Sequence, residues 1–247
     1  MLGLPPEVTV CLFDLDGVLT KTATVHAAAW KEMFDEFLQA YAERTGTPFR
    51  PFDSHDYDRY VDGRPRLDGT RAFLESRGIK LPEGSPSDPV DALSIQGLSN
   101  RKNQLVLQRL AEGQVEVYEG SVRYVRAVRA AGMPTAVVSS SANTAQVLEI
   151  TGLAGLFDVR IDGIVAEERG LAGKPAPDTF LAAAQDLGRA ASAAAIFEDA
   201  LAGVAAGRAG GFRFVIGVDR VGQADELLAH GADIVVKDLS ELLERDT

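Results

Sequence analysis

From Glu119 onward the chain alternates between two periods, and this alternation constrains the fold more than any other feature. Amphipathic helix-period segments at residues 121–131, 143–152, 177–187 and 201–209 are separated by short apolar runs at 134–139, 159–165, 193–199, 212–218 and 233–236. Gly132 closes the first helical segment, and Pro177 opens the third, where its missing N–H costs nothing. Repeated βα units predict a parallel, doubly wound α/β sheet with right-handed crossovers. The run at 8–13, rich in Val and other apolar residues, reads as a further strand of that sheet, buried on both faces.

The segment between residues 21 and 115 has a different character. Trp30, Met33, Phe34, Phe37, Leu38 and Tyr41 recur at steps of three and four, with charged residues between them, as on an amphipathic helix. Residues 46–58 are polar and Pro-containing, without clear period. Helices are predicted at 70–77, closed by Gly78, and at 100–112, closed by Gly113, with a loop at 82–89 and no evident strand. The expected organisation is a discontinuous core made of residues 1–20 and 116–247, with residues 21–115 inserted as a helical cap over the carboxyl edge of the sheet.

At that edge, where open parallel sheets bind ligands, several strand ends carry reactive groups. The first strand runs into Asp14-Leu-Asp16-Gly17, and alternation places both acids on one side. Two such acids repel unless a cation or a proton lies between them. Read alone, the pair is equally a strand ending in solvated acids. The strand at 134–139 ends in Ser139-Ser140-Ser141 beside a helix start, suited to an oxyanion, although serines there are more often helix caps. Lys174 lies in the stiff turn Gly173-Lys174-Pro175, where an isolated lysine would ordinarily be a solvated surface cation. The strand at 193–199 ends in Glu198-Asp199, and adjacent acids there favour function over stability.

Composition narrows the partners. With 25 Lys and Arg against 36 Asp and Glu, the net charge is −11, which disfavours nucleic acid and anionic membranes. An anionic substrate must then be held by a local cluster of cations or a metal. The single cysteine, Cys11, lies inside the first strand and is read as core, as is Trp30, so no disulfide framework is expected. The start of the chain lacks a basic and apolar leader, which makes a cytoplasmic location the expectation.

Taken in order, Asp14-Leu-Asp16-Gly-Val, Ser139, Lys174-Pro175 and Glu198-Asp199 resemble the sequence motifs of the haloacid dehalogenase superfamily. The second acid of Asp-x-Asp points within it to phosphoryl transfer, and the inserted segment is similar to the family's helical type of cap. Phe13-Asp-Leu-Asp-Gly-Val, Thr22-Ala23, His26, Ala29-Trp30-Lys31, Arg101-Lys102-Asn103 and Lys174-Pro-Ala-Pro-Asp178 look most like the β-phosphoglucomutase subgroup. The resemblance implies Asp14 as nucleophile and Asp16 as general acid and base. It implies Ser139, Ser140 and Lys174 on phosphate oxygens, and Mg2+ held by Asp14, the Asp16 carbonyl, Glu198 and Asp199. It assigns His26, Arg66 and Lys102 of the cap, with Ser141 and Asn143 of the core, to the sugar phosphate; without it, Arg66 would be a solvated surface residue.

Three positions depart from the subgroup's pattern: Ala142 where a lysine is usual, Asp62 in the cap loop, and Ala200 after Glu198-Asp199. Arg64 could compensate for a missing cation through its phosphate-matching fork. The implied function is a Mg2+-dependent sugar phosphomutase, with a phosphatase of small phosphomonoesters as alternative and a non-catalytic binding protein as the remote one. The implied partner is a small phosphorylated sugar, and a cap that must open and close favours a monomer.

Overall fold

The computed structural model describes residues 2–113 and 115–244. The chain divides into two compact units, Met1–Lys21 with Val115–Thr247, and Thr22–Gln114.

In the first unit, six strands form one sheet in the order β3-β2-β1-β4-β5-β6. They are β1 (Val10–Phe13), β2 (Thr135–Val138), β3 (Val159–Ile161), β4 (Ala194–Glu198), β5 (Phe214–Val218) and β6 (Ile234–Val236), with every pairing parallel. The order reverses direction between β1 and β4, the switch point at which doubly wound sheets place their ligands. In register there, Phe13 pairs with Phe197, so Asp14 and Glu198 leave the sheet side by side.

All residues of β1 are buried, and they alternate between two packing layers. Val10 and Leu12 join Val138, Phe180, Ile196 and Val204 in one apolar cluster, which α8 (Asp178–Asp186) and α9 (Leu201–Ala209) help to build. Phe13 faces the other layer, stacked on Phe197 with ring centroids 4.3 Å apart and edge-on to Tyr124 of α5 (Glu119–Ala130). Burying such side chains contributes about 1.5–3 kcal/mol each, which holds the strand end still beneath its acids.

The segment at 159–165 is predicted as one strand, but β3 stops at Ile161. Asp162 Oδ1 accepts the N–H groups of Ile164 and Val165 at 3.1 and 3.0 Å and starts the helix Gly163–Glu168. The N-cap overrides the β preference of a short segment.

The second unit is helical. Its longest element, α1 (Thr22–Thr45), buries Trp30, Met33, Phe34, Phe37 and Leu38 of the predicted face, while Tyr41 near its end is only half-buried. Phe34 is the hub, with Phe73 at 4.1 Å and Trp30 and Phe52 at 5.2 Å. The helices predicted at 70–77 and 100–112 start earlier, as α3 (Arg66–Ser76) after Pro65 and α4 (Ile95–Ala111) after Ser94, whose Oγ accepts the Gly97 N–H at 2.9 Å. The stretch at 46–58 also holds order that its period hides. Asp53 and Asp56 form a reciprocal capping box at Ser54–Asp56, which continues into a wider helical turn at Tyr57–Val61. Among the described residues, no helix is long and apolar enough to cross a membrane.

Candidate active site

Lys174 organises the carboxyl edge of the sheet. Its Nζ donates to Asp14 Oδ1 at 2.6 Å, to Glu198 Oε1 at 2.5 Å and to the Val138 carbonyl at 3.1 Å, thereby tying together the ends of β1, β4 and β2. The lysine is buried, as are Asp14, Ser139, Glu198 and Asp199. Asp14, Glu198 and Asp199 each present a carboxylate oxygen within 4.8 Å of the others. The solvated lysine expected of an isolated turn is therefore replaced by an ammonium with every donor used.

Burial works to lower the Lys174 pKa, but the charges of Asp14 and Glu198 outweigh it and hold the ammonium above its ordinary value. Asp14 shifts well up, first through burial and then through Glu198 and Asp16, against the pull of Lys174. One buried cation thus faces several carboxylates, and the group retains an excess of negative charge.

Asp16 is half-buried, and its Oδ2 accepts the Ser139 hydroxyl at 3.1 Å. Ser139 Oγ also accepts the Ser141 N–H at 3.1 Å, and Ser141 Oγ accepts the Asn143 N–H at 3.1 Å. The serines therefore cap a turn and address the site at once. The helix beyond them begins only at Thr144, so the N–H groups nearest Ser139 belong to this turn. Ser140 and Asn143 are half-buried on the same turn.

Close approach requires glycine at two positions. Gly17, at φ 87°, would place a methyl group 1.7 Å from Asp199 Oδ2. At Gly203 in α9 a methyl group would lie 1.8 Å from Glu198 Oε1. Glu198 is wedged there, with Oε2 accepting the Ala200 N–H at 3.0 Å. Gly203→Ala is expected to displace Glu198 and to cost about 1–3 kcal/mol as overpacking, measured as a lowered urea midpoint.

In the helical unit, His26 Nδ1 and Lys102 Nζ lie 2.8 Å apart, and the buried Lys102 ammonium sits over the Trp30 ring at 4.8 Å from its centroid. Arg66 is the first residue of α3, and its carbonyl accepts the Thr70 hydroxyl at 3.0 Å.

Comparison with known proteins agrees with this geometry. Residues 8–211 match the family model of haloacid dehalogenase-like hydrolases. The chain belongs to this family. It lies in the β-phosphoglucomutase-like branch. It is 56% identical over 247 residues to a protein named β-phosphoglucomutase from Mycobacterium tuberculosis, covering 98% of this chain and 94% of that one. A Bacillus subtilis β-phosphoglucomutase is 31% identical over 234 residues, covering 94% of this chain and 90% of the other. In fold, the chain resembles the crystal structure of β-phosphoglucomutase from Clostridium difficile, with a TM-score of 0.74 at 24% identity, covering 95% and 93% of the two chains.

For a member of this family the donor set can be tested against a divalent cation. Asp14, Glu198 and Asp199 offer only hard oxygen atoms, converge within 4.8 Å and exceed the charge that Lys174 can cancel. They fit an ion such as Mg2+, which takes carboxylates together with phosphate oxygens. Sequence reasoning missed Arg220 and Gln223, on the loop after β5. Arg220 donates to the Gly17 carbonyl at 2.7 Å, and Gln223 to the Asp199 carbonyl at 3.0 Å. No signal in the sequence distinguishes either from an ordinary surface residue.

Proposed function

We propose that this haloacid dehalogenase-family enzyme is a Mg2+-dependent sugar phosphomutase that interconverts β-glucose 1-phosphate and glucose 6-phosphate through a bisphosphate. The observation that carries the reading is the pairing of Asp14 with Lys174 beside Asp16 with Ser139, a nucleophile next to a proton carrier at one sheet edge.

Lys174 occupies one Asp14 oxygen, and the second attacks phosphorus in line to form an aspartyl-phosphate. The Lys174 ammonium and the Ser139–Ser140 turn receive the transferring oxygens as point charge and hydrogen-bond donors. Ser139 orients Asp16 through Oδ2; Asp16 protonates the leaving oxygen and later accepts the proton of the incoming hydroxyl, a role worth about 10²–10⁴-fold. Asp14, the Asp16 carbonyl, Glu198 and Asp199 would hold Mg2+, which would supply the charge neutralisation that lets a carboxylate meet a phosphate dianion. On return, a sugar hydroxyl rather than water takes the phosphoryl group from Asp14.

That choice of acceptor requires a grip on the second, non-reacting phosphate. Arg66 is assigned to this phosphate, His26 and Lys102 to the sugar phosphate, and Ser141 and Asn143 to the core end of the same ligand. The paired His26 and Lys102 support a common task. Arg66→Ala is expected to lower isomerisation about 10–100-fold, the scale of one charged hydrogen bond, while hydrolysis of a small aryl phosphate is almost unchanged. Equal losses in both assays would sink the clamp.

A phosphatase is the second reading, supported by the hydrolase family match. One reaction separates the two. β-Glucose 1-phosphate, Mg2+ and a trace of glucose 1,6-bisphosphate are supplied, and glucose 6-phosphate and inorganic phosphate are followed together. Glucose 6-phosphate in large excess is the expected result, and free phosphate alone would refute the mutase.

A further inference from the structure

We propose that Arg220 and Gln223, on the loop after β5, are positioning residues that set the turn at residues 14–17 against Asp199. The proposal takes from the preceding section that Asp14, Asp16 and Asp199 are working groups.

The Arg220 guanidinium is largely buried, and it gives most of its donors to main-chain carbonyls. Nε reaches the Gly17 carbonyl at 2.7 Å, one terminal nitrogen reaches the Val18 carbonyl and Ser121 Oγ, both at 3.2 Å, and the other reaches the Lys237 carbonyl at 2.6 Å. The Asp238 carboxylate stands further off, at 3.7 Å. The Arg220 guanidinium carbon lies over the Tyr118 ring, 3.5 Å from the centroid. A planar fork that binds several carbonyls at once registers the segments bearing them, with its donors already set in fixed directions.

Gln223 holds the other half of the cluster, donating Nε2 to the Asp199 carbonyl at 3.0 Å. The loop that carries both residues is itself fastened. Asp219 Oδ1 accepts the N–H groups of Val221, Gly222 and Gln223 at 3.3, 2.7 and 2.9 Å. Between the two held segments there is no spare room, because a methyl group on Gly17 would lie 1.7 Å from Asp199 Oδ2. One loop with no reactive group of its own thus fixes the separation of the acids from both sides. Catalytic geometry is sensitive at the scale of about 1 Å.

The test uses the full chain with Arg220→Ala, Arg220→Lys and Gln223→Ala, and with Asp14→Asn as control. It reads kcat and KM on an aryl phosphate, Mn2+ binding from the electron paramagnetic resonance signal of the free ion, and the melting temperature. Arg220→Ala is expected to lower kcat and Mn2+ affinity about 10–100-fold each, the scale for partners that orient metal ligands. KM should move little, and added guanidinium ion should restore part of kcat. Arg220→Lys should be intermediate, and Gln223→Ala should weaken Mn2+ binding in the same direction without loss of fold. Wild-type kcat and Mn2+ affinity in Arg220→Ala would overturn the proposal. So would a parallel fall of kcat and melting temperature with no guanidinium rescue and an unaffected Gln223→Ala. If Asp14→Asn keeps its turnover, the phosphoryl-transfer reading fails, and the Mn2+ comparison still decides the role of the loop.

Discussion

Asp14→Asn is expected to remove all measurable turnover, a loss on the order of 10⁴-fold or more, as when a covalent nucleophile is deleted elsewhere. The fold should survive. Lys174 keeps Glu198 and the Val138 carbonyl, and the substitution removes a carboxylate that burial, Glu198 and Asp16 all disfavour in its charged form. Steady-state rates with a sugar phosphate and an aryl phosphate, set beside a thermal melt, check both halves. Unchanged turnover would rule out Asp14 as the phosphoryl carrier; lost turnover with a collapsed melt would leave its chemical role unsupported.

Lys174→Met is expected to abolish turnover and also to destabilise the core by about 3–5 kcal/mol, because breaking a buried pair leaves its partners charged and alone. Here both Asp14 and Glu198 lose their ammonium. The deficit should shrink as Mg2+ is added, since a divalent cation replaces part of the missing charge. It should also shrink at low pH. Asp14 already titrates above its ordinary value in the folded protein, and without Lys174 it rises further. A folded-state pKa raised above the unfolded one favours folding below the unfolded value and loses that contribution as pH rises through the folded one. Urea midpoints across pH, with and without Mg2+, measure both effects; a midpoint equal to that of wild type at neutral pH would refute the account of Lys174 as the cluster's essential counter-charge.

The fold was legible wherever periodicity was local. The buried run ending at Phe13, the stripe from Trp30 to Leu38 and the strand carrying Glu198 all stand where their patterns place them. Errors fell where a cap or a turn decides against a pattern. Asp162 ends β3 and starts a helix inside the segment predicted as one strand, and the Asp53–Asp56 box orders a stretch whose period is mute. Ser94 starts α4 earlier than the apolar residues suggest, because a helix begins at its capping group rather than at its buried face. α3 likewise starts early, directly after Pro65, whose fixed φ suits a helix entry.

The sequence by itself determined the sheet, the inserted helices and which residue types stand at the strand ends, since each follows from neighbours a few positions apart. Tertiary structure alone decided what each group touches. Lys174 meets Asp14 across 160 positions of sequence, and Arg220 meets Gly17 across 203. Such contacts are made by strand order and register, which bring the ends of β1, β2 and β4 within reach of one ammonium, and no local period encodes which oxygen it will take.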